Sequence, residues 1–163
     1  MKINEVNALD CAGFVRAFGW VFEDSPWVAE RAWVHRPFDS AEALHEALVQ
    51  EVAGAATDDQ LALLRAHPDL GASDRMSAAS VGEQAGAGLD RLTPHEFERL
   101  RDLNLAYRFK FGFPFVFAVK GSSRRDILEA LAQRFPRHRD EEFHEALRQV
   151  YRIARFRLEG IVT

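Results

Sequence analysis

Cysteine is nearly absent: Cys11 stands alone in 163 residues, so no internal disulfide can form and the fold must rest on burial. A lone cysteine in a helix-like segment suits a small core side chain in a reducing compartment better than a catalytic thiol. Long apolar runs are also missing. None approaches the roughly 20 residues that span a bilayer, and Met1-Lys2-Ile3-Asn4-Glu5 lacks the apolar centre of a secretory signal, so a cytoplasmic protein without a membrane partner is expected. Positive charge is not in excess: Lys+Arg 21 against Asp+Glu 25 gives −4, which argues against nucleic acid as a partner. Lysine itself is scarce, with only Lys2, Lys110 and Lys120, so the cationic groups are almost all guanidiniums, suited to two-point contact with planar anions. No phosphate loop occurs, because Gly82-x-x-x-Gly86-x-Gly88 has no following Lys-Ser/Thr and no preceding strand. His67, Asp69 and Glu83 could in principle ligate a metal, but paired histidines at His-Glu-x-x-His spacing are lacking, so no metal is expected.

What is present reads as helix. Hydrophobic residues make up 47% and charged residues 28% of the chain, as in one globular domain over residues 1–163. Val6, Leu9, Gly13, Phe14, Ala17, Phe18 and Val21 recur at three- and four-residue steps and predict one amphipathic helix over residues 5–22. Ser25-Pro26 is read as the cap and first turn of a second helix, with Trp27 packing on Trp33. Ser40 opens a third helix that ends before Gly54, and Thr57-Asp58-Asp59-Gln60 reads as a capping box for a fourth that stops at His67 ahead of Pro68. Residues 68–92 are small and polar and give no clear pattern. Thr93-Pro94-His95-Glu96 starts another helix, Ser123 caps a shorter one, and the longest runs from Asp140 to about Gly160. The fold class expected is all-α, a single-domain bundle with one exception.

That exception is Phe109, Phe111, Phe113, Phe115 and Phe117, whose unbroken period of two, with Gly112 and Pro114 between them arguing against helix, predicts a short extended segment at about 111–119. With no second strand to pair it, its backbone groups need partners. Neighbouring side chains and water are one answer, and a ligand rich in amide-like groups is the other.

Three residues draw attention as chemistry. His67 lies at a helix C-terminus, where the dipole favours the protonated ring, and 67–71, His-Pro-Asp-Leu-Gly, is a rigid turn; a simple capping histidine is the competing reading. Glu83 completes Ser80-x-x-Glu83, a capping-box spacing, yet the glycines around it make a poor helix and Gln84 adds a two-way amide, so close approach by a substrate is equally readable. Arg157 is the one charged member of the stripe Phe143, Leu147, Val150, Ala154, Arg157 and Ile161 on the last helix. A guanidinium there either pairs with an internal carboxylate, snorkels to the rim, or anchors a substrate carboxylate.

Residues 25–33 (Ser-Pro-Trp-Val-Ala-Glu-Arg-Ala-Trp), Arg36-Pro37-Phe38, 66–71 (Ala-His-Pro-Asp-Leu-Gly), 80–84 (Ser-Val-Gly-Glu-Gln) and 111–115 (Phe-Gly-Phe-Pro-Phe) together resemble the 2-oxo-4-hydroxy-4-carboxy-5-ureidoimidazoline (OHCU) decarboxylases of urate breakdown, in order and spacing, over nearly the whole chain. The resemblance implies an all-helical, cofactor-free carboxy-lyase, commonly a homodimer, that acts after urate oxidase and hydroxyisourate hydrolase to yield (S)-allantoin. By motif match it makes His67, Glu83 and Arg157 catalytic. It puts Pro68, Ser80, Val81, Gly82, Gln84, Phe115, Val116, Phe117, Ala118 and Val119 against the substrate. Arg155 lies close enough in sequence to compete with Arg157, and Pro136-Arg137-His138 departs from the family's polar linker. The contrasting class is a non-catalytic helical module that binds a ureido or purine-derived ligand, which would not require all three catalytic groups.

Overall fold

The computed structural model describes residues 1–71 and 76–163, so residues 72–75 of the patternless stretch lie outside it. Among the described residues there are nine α-helices, one short 3-10 turn and no strand. The helices are α1 Ile3–Asn7, α2 Cys11–Phe18, α3 Trp27–Ala32, α4 Ala41–Ala53, α5 Thr57–Ala66, α6 Ala78–Gly86, α7 Pro94–Phe111, α8 Arg124–Arg134 and α9 Arg139–Glu159. The all-α expectation holds.

The chain groups into two compact units. The first comprises Met1–Leu63 and Tyr151–Thr163. Its α2 buries Phe14 and Phe18, α3 buries Val28 and Ala32, and α4 buries Leu44, Leu48 and Val52 at four-residue steps. Ser40 caps α4 by accepting the Ala43 N–H at 3.1 Å, as its position predicts.

Other boundaries in this unit differ from the expectation. The helix expected over 5–22 is two helices, because Asp10 accepts the Gly13 N–H at 2.7 Å and so caps a new start. Ser25 caps nothing with its side chain: its hydroxyl donates to the Glu23 carbonyl at 2.7 Å. Each indole expected in a Trp27–Trp33 pair lies beneath a guanidinium, Arg31 over Trp27 at 4.5 Å and Arg36 over Trp33 at 4.0 Å. Gln60 does not close a box on Thr57, which is already helical. Its amide donates to the Val52 and Ala53 carbonyls, at 3.0 and 3.3 Å, and so satisfies the end of α4.

The second unit is Leu64–Val150. Here α7 is held at its start by a full Thr93/Glu96 capping box with Pro94 in the first turn, and it ends on Gly112 at φ +80°. Ser123 and Asp126 form the equivalent box on α8. A cluster of rings fills the interior, with Tyr107 against Phe111 at 4.5 Å and against Phe115 at 5.4 Å, and Phe113 against Phe143 at 6.0 Å.

The extended segment is shorter than its ring pattern predicts. Phe109 and Phe111 belong to α7, Phe109 being 95% exposed and Phe111 buried, because Pro94–Phe111 is one continuous helix before glycine stops it. Residues 114–119 carry no regular secondary structure. Phe115 and Phe117 stack with centroids 6.0 Å apart, a separation suited to same-side neighbours on an extended chain.

Candidate active site

The 67–71 turn and helix α6 are built against each other in the second unit. His67 follows the last residue of α5, and its N–H still reaches the Leu64 carbonyl at 3.2 Å, so the helix ends there as Pro68 demands. Its side chain is buried at 7% exposure. The turn closes on Gly71, at φ +79°, a conformation that favours glycine, and an added Cβ would press on Leu100 Cδ2 at 2.9 Å.

Two amides lock this turn in place. Gln84 Oε1 accepts the Gly71 N–H at 2.9 Å, and Asn104 Nδ2 donates to the Leu70 carbonyl at 2.9 Å. Arg108 pairs with Asp69 at 2.7 Å from the α7 side. The first of these bonds fixes the helix carrying Ser80, Glu83 and Gln84 to the turn carrying His67 and Pro68.

Helix α6 is capped by Ser77, whose side chain accepts the Ser80 N–H at 3.2 Å. Ser80-x-x-Glu83 is therefore not a capping box, as the spacing had allowed: both residues lie inside the helix, their capping roles taken by Ser77 three residues earlier. Ser80 and Gln84 are buried, Glu83 is half-buried, and Val81 and Gly82 are exposed. Beyond the last two, the helix has open space, for a Cβ at Gly82 or Gly86 would meet nothing within 4 Å. On the Val81 side lies a cavity of about 510 Å³ whose wall includes Gln84, Ala85, Leu89 and Phe97.

The backbone of residues 115–119 has partners that sequence reasoning left open. Arg134 Nη1 donates to the Val116 carbonyl at 2.7 Å, and Gln149 Oε1 accepts the Ala118 N–H at 3.0 Å. Both side chains are 5% exposed. Arg134 also donates from Nε to Glu142 at 2.7 Å and lies 4.5 Å from the centre of the Phe115 ring. Tyr107 donates to the same Glu142 oxygen at 2.6 Å, and burial, then that hydrogen bond, pushes the phenol's pKa well up. Arg134, Glu142 and Gln149 were missed in the sequence. A signal existed: Ile127, Leu131 and Arg134 follow the same three- and four-residue steps that singled out Arg157.

Arg157 belongs to the first unit. It is 6% exposed, and its Nη2 pairs with Glu23 Oε1 at 2.7 Å while Nη1 donates to the Val21 and Trp20 carbonyls at 3.1 and 3.3 Å. Of the roles open to it, the structure displays the internal ion pair. Arg155 is exposed and pairs with Glu159 on its own helix at 3.3 Å. Among the described residues no three His, Cys, Asp or Glu side chains gather as a metal site, and no helix is long and apolar enough to cross a membrane.

The family model described as OHCU decarboxylase matches residues 7–159. The chain is 46% identical over 161 residues to the 2-oxo-4-hydroxy-4-carboxy-5-ureidoimidazoline decarboxylase of Halalkalicoccus jeotgali, covering 99% of this chain and 92% of that protein. It is 43% identical to a uric acid degradation bifunctional protein of Bacillus subtilis, with 99% of this chain matched to 33% of that one. Among solved structures, a crystal structure of (S)-allantoin synthase superposes with a TM-score of 0.83 at 30% identity, over 99% of this chain and 54% of that chain. An OHCU decarboxylase crystallised in the presence of (S)-allantoin shares the fold, with a TM-score of 0.70 at 20% identity over 83% of this chain and 89% of that one.

Proposed function

The chain belongs to the OHCU decarboxylase family, and on that premise we propose that it removes CO2 from 2-oxo-4-hydroxy-4-carboxy-5-ureidoimidazoline to give (S)-allantoin, without a cofactor. The observation that carries this reading at the site is the Gln84–Gly71 hydrogen bond, which ties the His67 turn to the Glu83 helix in a buried setting.

Loss of CO2 breaks a C–C bond and leaves an electron pair, which flows into the adjacent C=N of the substrate. The nitrogen that receives the electrons takes up a proton, and the resulting enol becomes the ketone when its hydroxyl loses a proton and the carbon of the former C=N, which carries the ureido group, gains one. No external electron sink is required. His67 and Glu83 hold and polarise the hydroxyl, and one of them moves the proton. Delivery from one side gives a single-handed product. Pro68 and the 80–84 helix stretch, Ser80, Val81, Gly82 and Gln84, line the substrate, and the segment Phe115, Val116, Phe117, Ala118 and Val119 meets its imidazolinone and ureido groups through those backbone groups that Arg134, Gln149 and Ser122 leave open.

Arg157 orients the substrate carboxylate. A strong grip on that charge in the ground state would oppose its loss as neutral CO2, so positioning has to dominate. Its pairing with Glu23 suits this, because a guanidinium already facing a carboxylate exerts a weaker net field on a second one.

The substrate must be supplied by oxidation of urate and hydrolysis of the product, the work of urate oxidase and hydroxyisourate hydrolase. The protein acts in the cytoplasm, as a homodimer. The test generates the substrate in situ from urate with those two activities and follows optical rotation. Faster formation of (S)-allantoin is expected, and His67→Ala should abolish it with the helical CD spectrum intact. Decay unchanged by the wild-type protein would make the chain a binding module instead.

A further inference from the structure

In an extended chain the N–H and C=O of one residue point to the same side, and those of its neighbours to the other. The Val116 carbonyl and the Ala118 N–H are both taken by buried side chains, Arg134 of α8 and Gln149 of α9. The intervening Phe117 therefore presents its own N–H and C=O away from those helices, and neither has a hydrogen-bond partner among the described residues. The Val119 carbonyl is used in the following turn, by the Ser122 N–H at 2.9 Å. One donor and one acceptor on Phe117 thus remain available, side by side, which is the complement of a ureido or cyclic amide edge.

We propose that Gln149 is a positioning residue for the reaction: by accepting the Ala118 N–H it sets the facing direction of the Phe117 amide and carbonyl that bind the substrate's amide groups. This rests on the proposed function and adds to it a side chain that touches no substrate. The orientation of the Gln149 amide is itself determined. Its Nε2 donates to Glu145 Oε1 at 2.9 Å, so its Oε1 must face Ala118; the flipped amide would set NH2 against N–H and oxygen against carboxylate. Gln149 is 5% exposed, so the bond is made in a buried setting. Arg134 secures the neighbouring carbonyl, but it also carries the Glu142 charge, whereas Gln149 can be altered without stranding an ion.

The test is Gln149→Met, similar in volume and without the acceptor. Because the Phe117 contacts are made in ground and transition states alike, KM should rise about tenfold with kcat per folded molecule retained, and the Kd for (S)-allantoin should rise by the same factor. The exchange E145Q/Q149E restores an acceptor at position 149 and a donor at 145, and should return KM to near the wild-type value. If Gln149→Met does not fold, Gln149→Asn, which withdraws the same groups by one methylene, takes its place and should raise KM likewise. An unchanged KM and allantoin Kd, or a loss confined to Tm and the folded fraction, would overturn the positioning role alone. A wild-type protein with no turnover would take the proposed function with it.

Discussion

Arg157 in the first unit and Arg134 in the second are the two arginines buried among the described residues, at 6% and 5% exposure. Each pairs with a buried carboxylate at 2.7 Å and donates to backbone carbonyls. Their reach along the chain separates them. Arg134 and Glu142 are 8 residues apart, spanning the short link from α8 to α9, and the same guanidinium catches Val116 of the extended segment. Arg157 and Glu23 are 134 residues apart, so the pair holds the end of α9 to the irregular stretch after α2. Glu142 is wholly buried; among the described residues its Oε2 and the Arg134 Nη2 have no hydrogen-bond partner, although Oε2 lies 3.7 Å from Arg137 Nη1. Burial with a carboxylate therefore does not by itself separate a framework arginine from one proposed to orient substrate. The surroundings have to.

The sharpest way to break the comparison is Arg134→Met. It leaves a fully buried Glu142 with Tyr107 as its remaining close hydrogen-bond donor, and urea unfolding should register a loss of roughly 3–5 kcal/mol. Arg157→Lys should act on turnover, about a hundredfold, because an ammonium cannot reproduce the two-point fork. Arg134→Lys should fall mainly on stability, and equal turnover losses at both positions would erase the distinction. Little change at Arg157 would move suspicion to Arg155.

Tyr107→Phe removes a neutral donor from the same carboxylate and should cost about 2 kcal/mol, read from the urea midpoint. Its pH dependence has a definite sign. The folded phenol is raised above the ordinary tyrosine value, so the wild-type stabilisation is complete below pH about 10 and declines as pH rises beyond it, where the unfolded chain ionises first. Tyr107→Phe should flatten that decline.

The division between framework and substrate-facing groups also applies within α6. Gly82→Ala and Gly86→Ala both place a methyl in open space and should raise stability by up to about 1 kcal/mol, seen as a higher Tm. Only Gly82→Ala should slow turnover, because it alone stands among the proposed substrate contacts.

Helix content, the Ser40, Thr93 and Ser123 starts and the end of α5 before Pro68 were legible because caps and proline act within a few residues. The same local rules misled where two residues could serve. Ser25 and Ser80 each satisfy a capping pattern, but the Glu23 carbonyl draws off the first hydroxyl and Ser77 starts the helix ahead of the second. Phe109 and Phe111 fit the extended period and also the last turns of α7, and helix continuity up to Gly112 prevailed. Of the residues proposed for function, His67, Glu83 and Arg157 stood out from local context, whereas Gln149 looked like one more polar residue on a long helix.

The sequence by itself determined an all-α chain, the rigid turn at His67 and the one charged place on an apolar stripe, since each follows from periodicity, backbone restriction or burial along a single element. Tertiary structure decided which carboxylate faces which guanidinium, that Gln84 grips Gly71, and that Arg134 and Gln149 take the Val116 carbonyl and the Ala118 N–H. Those choices depend on groups carried by different elements meeting at hydrogen-bond distance, and no pattern within one element specifies such a meeting.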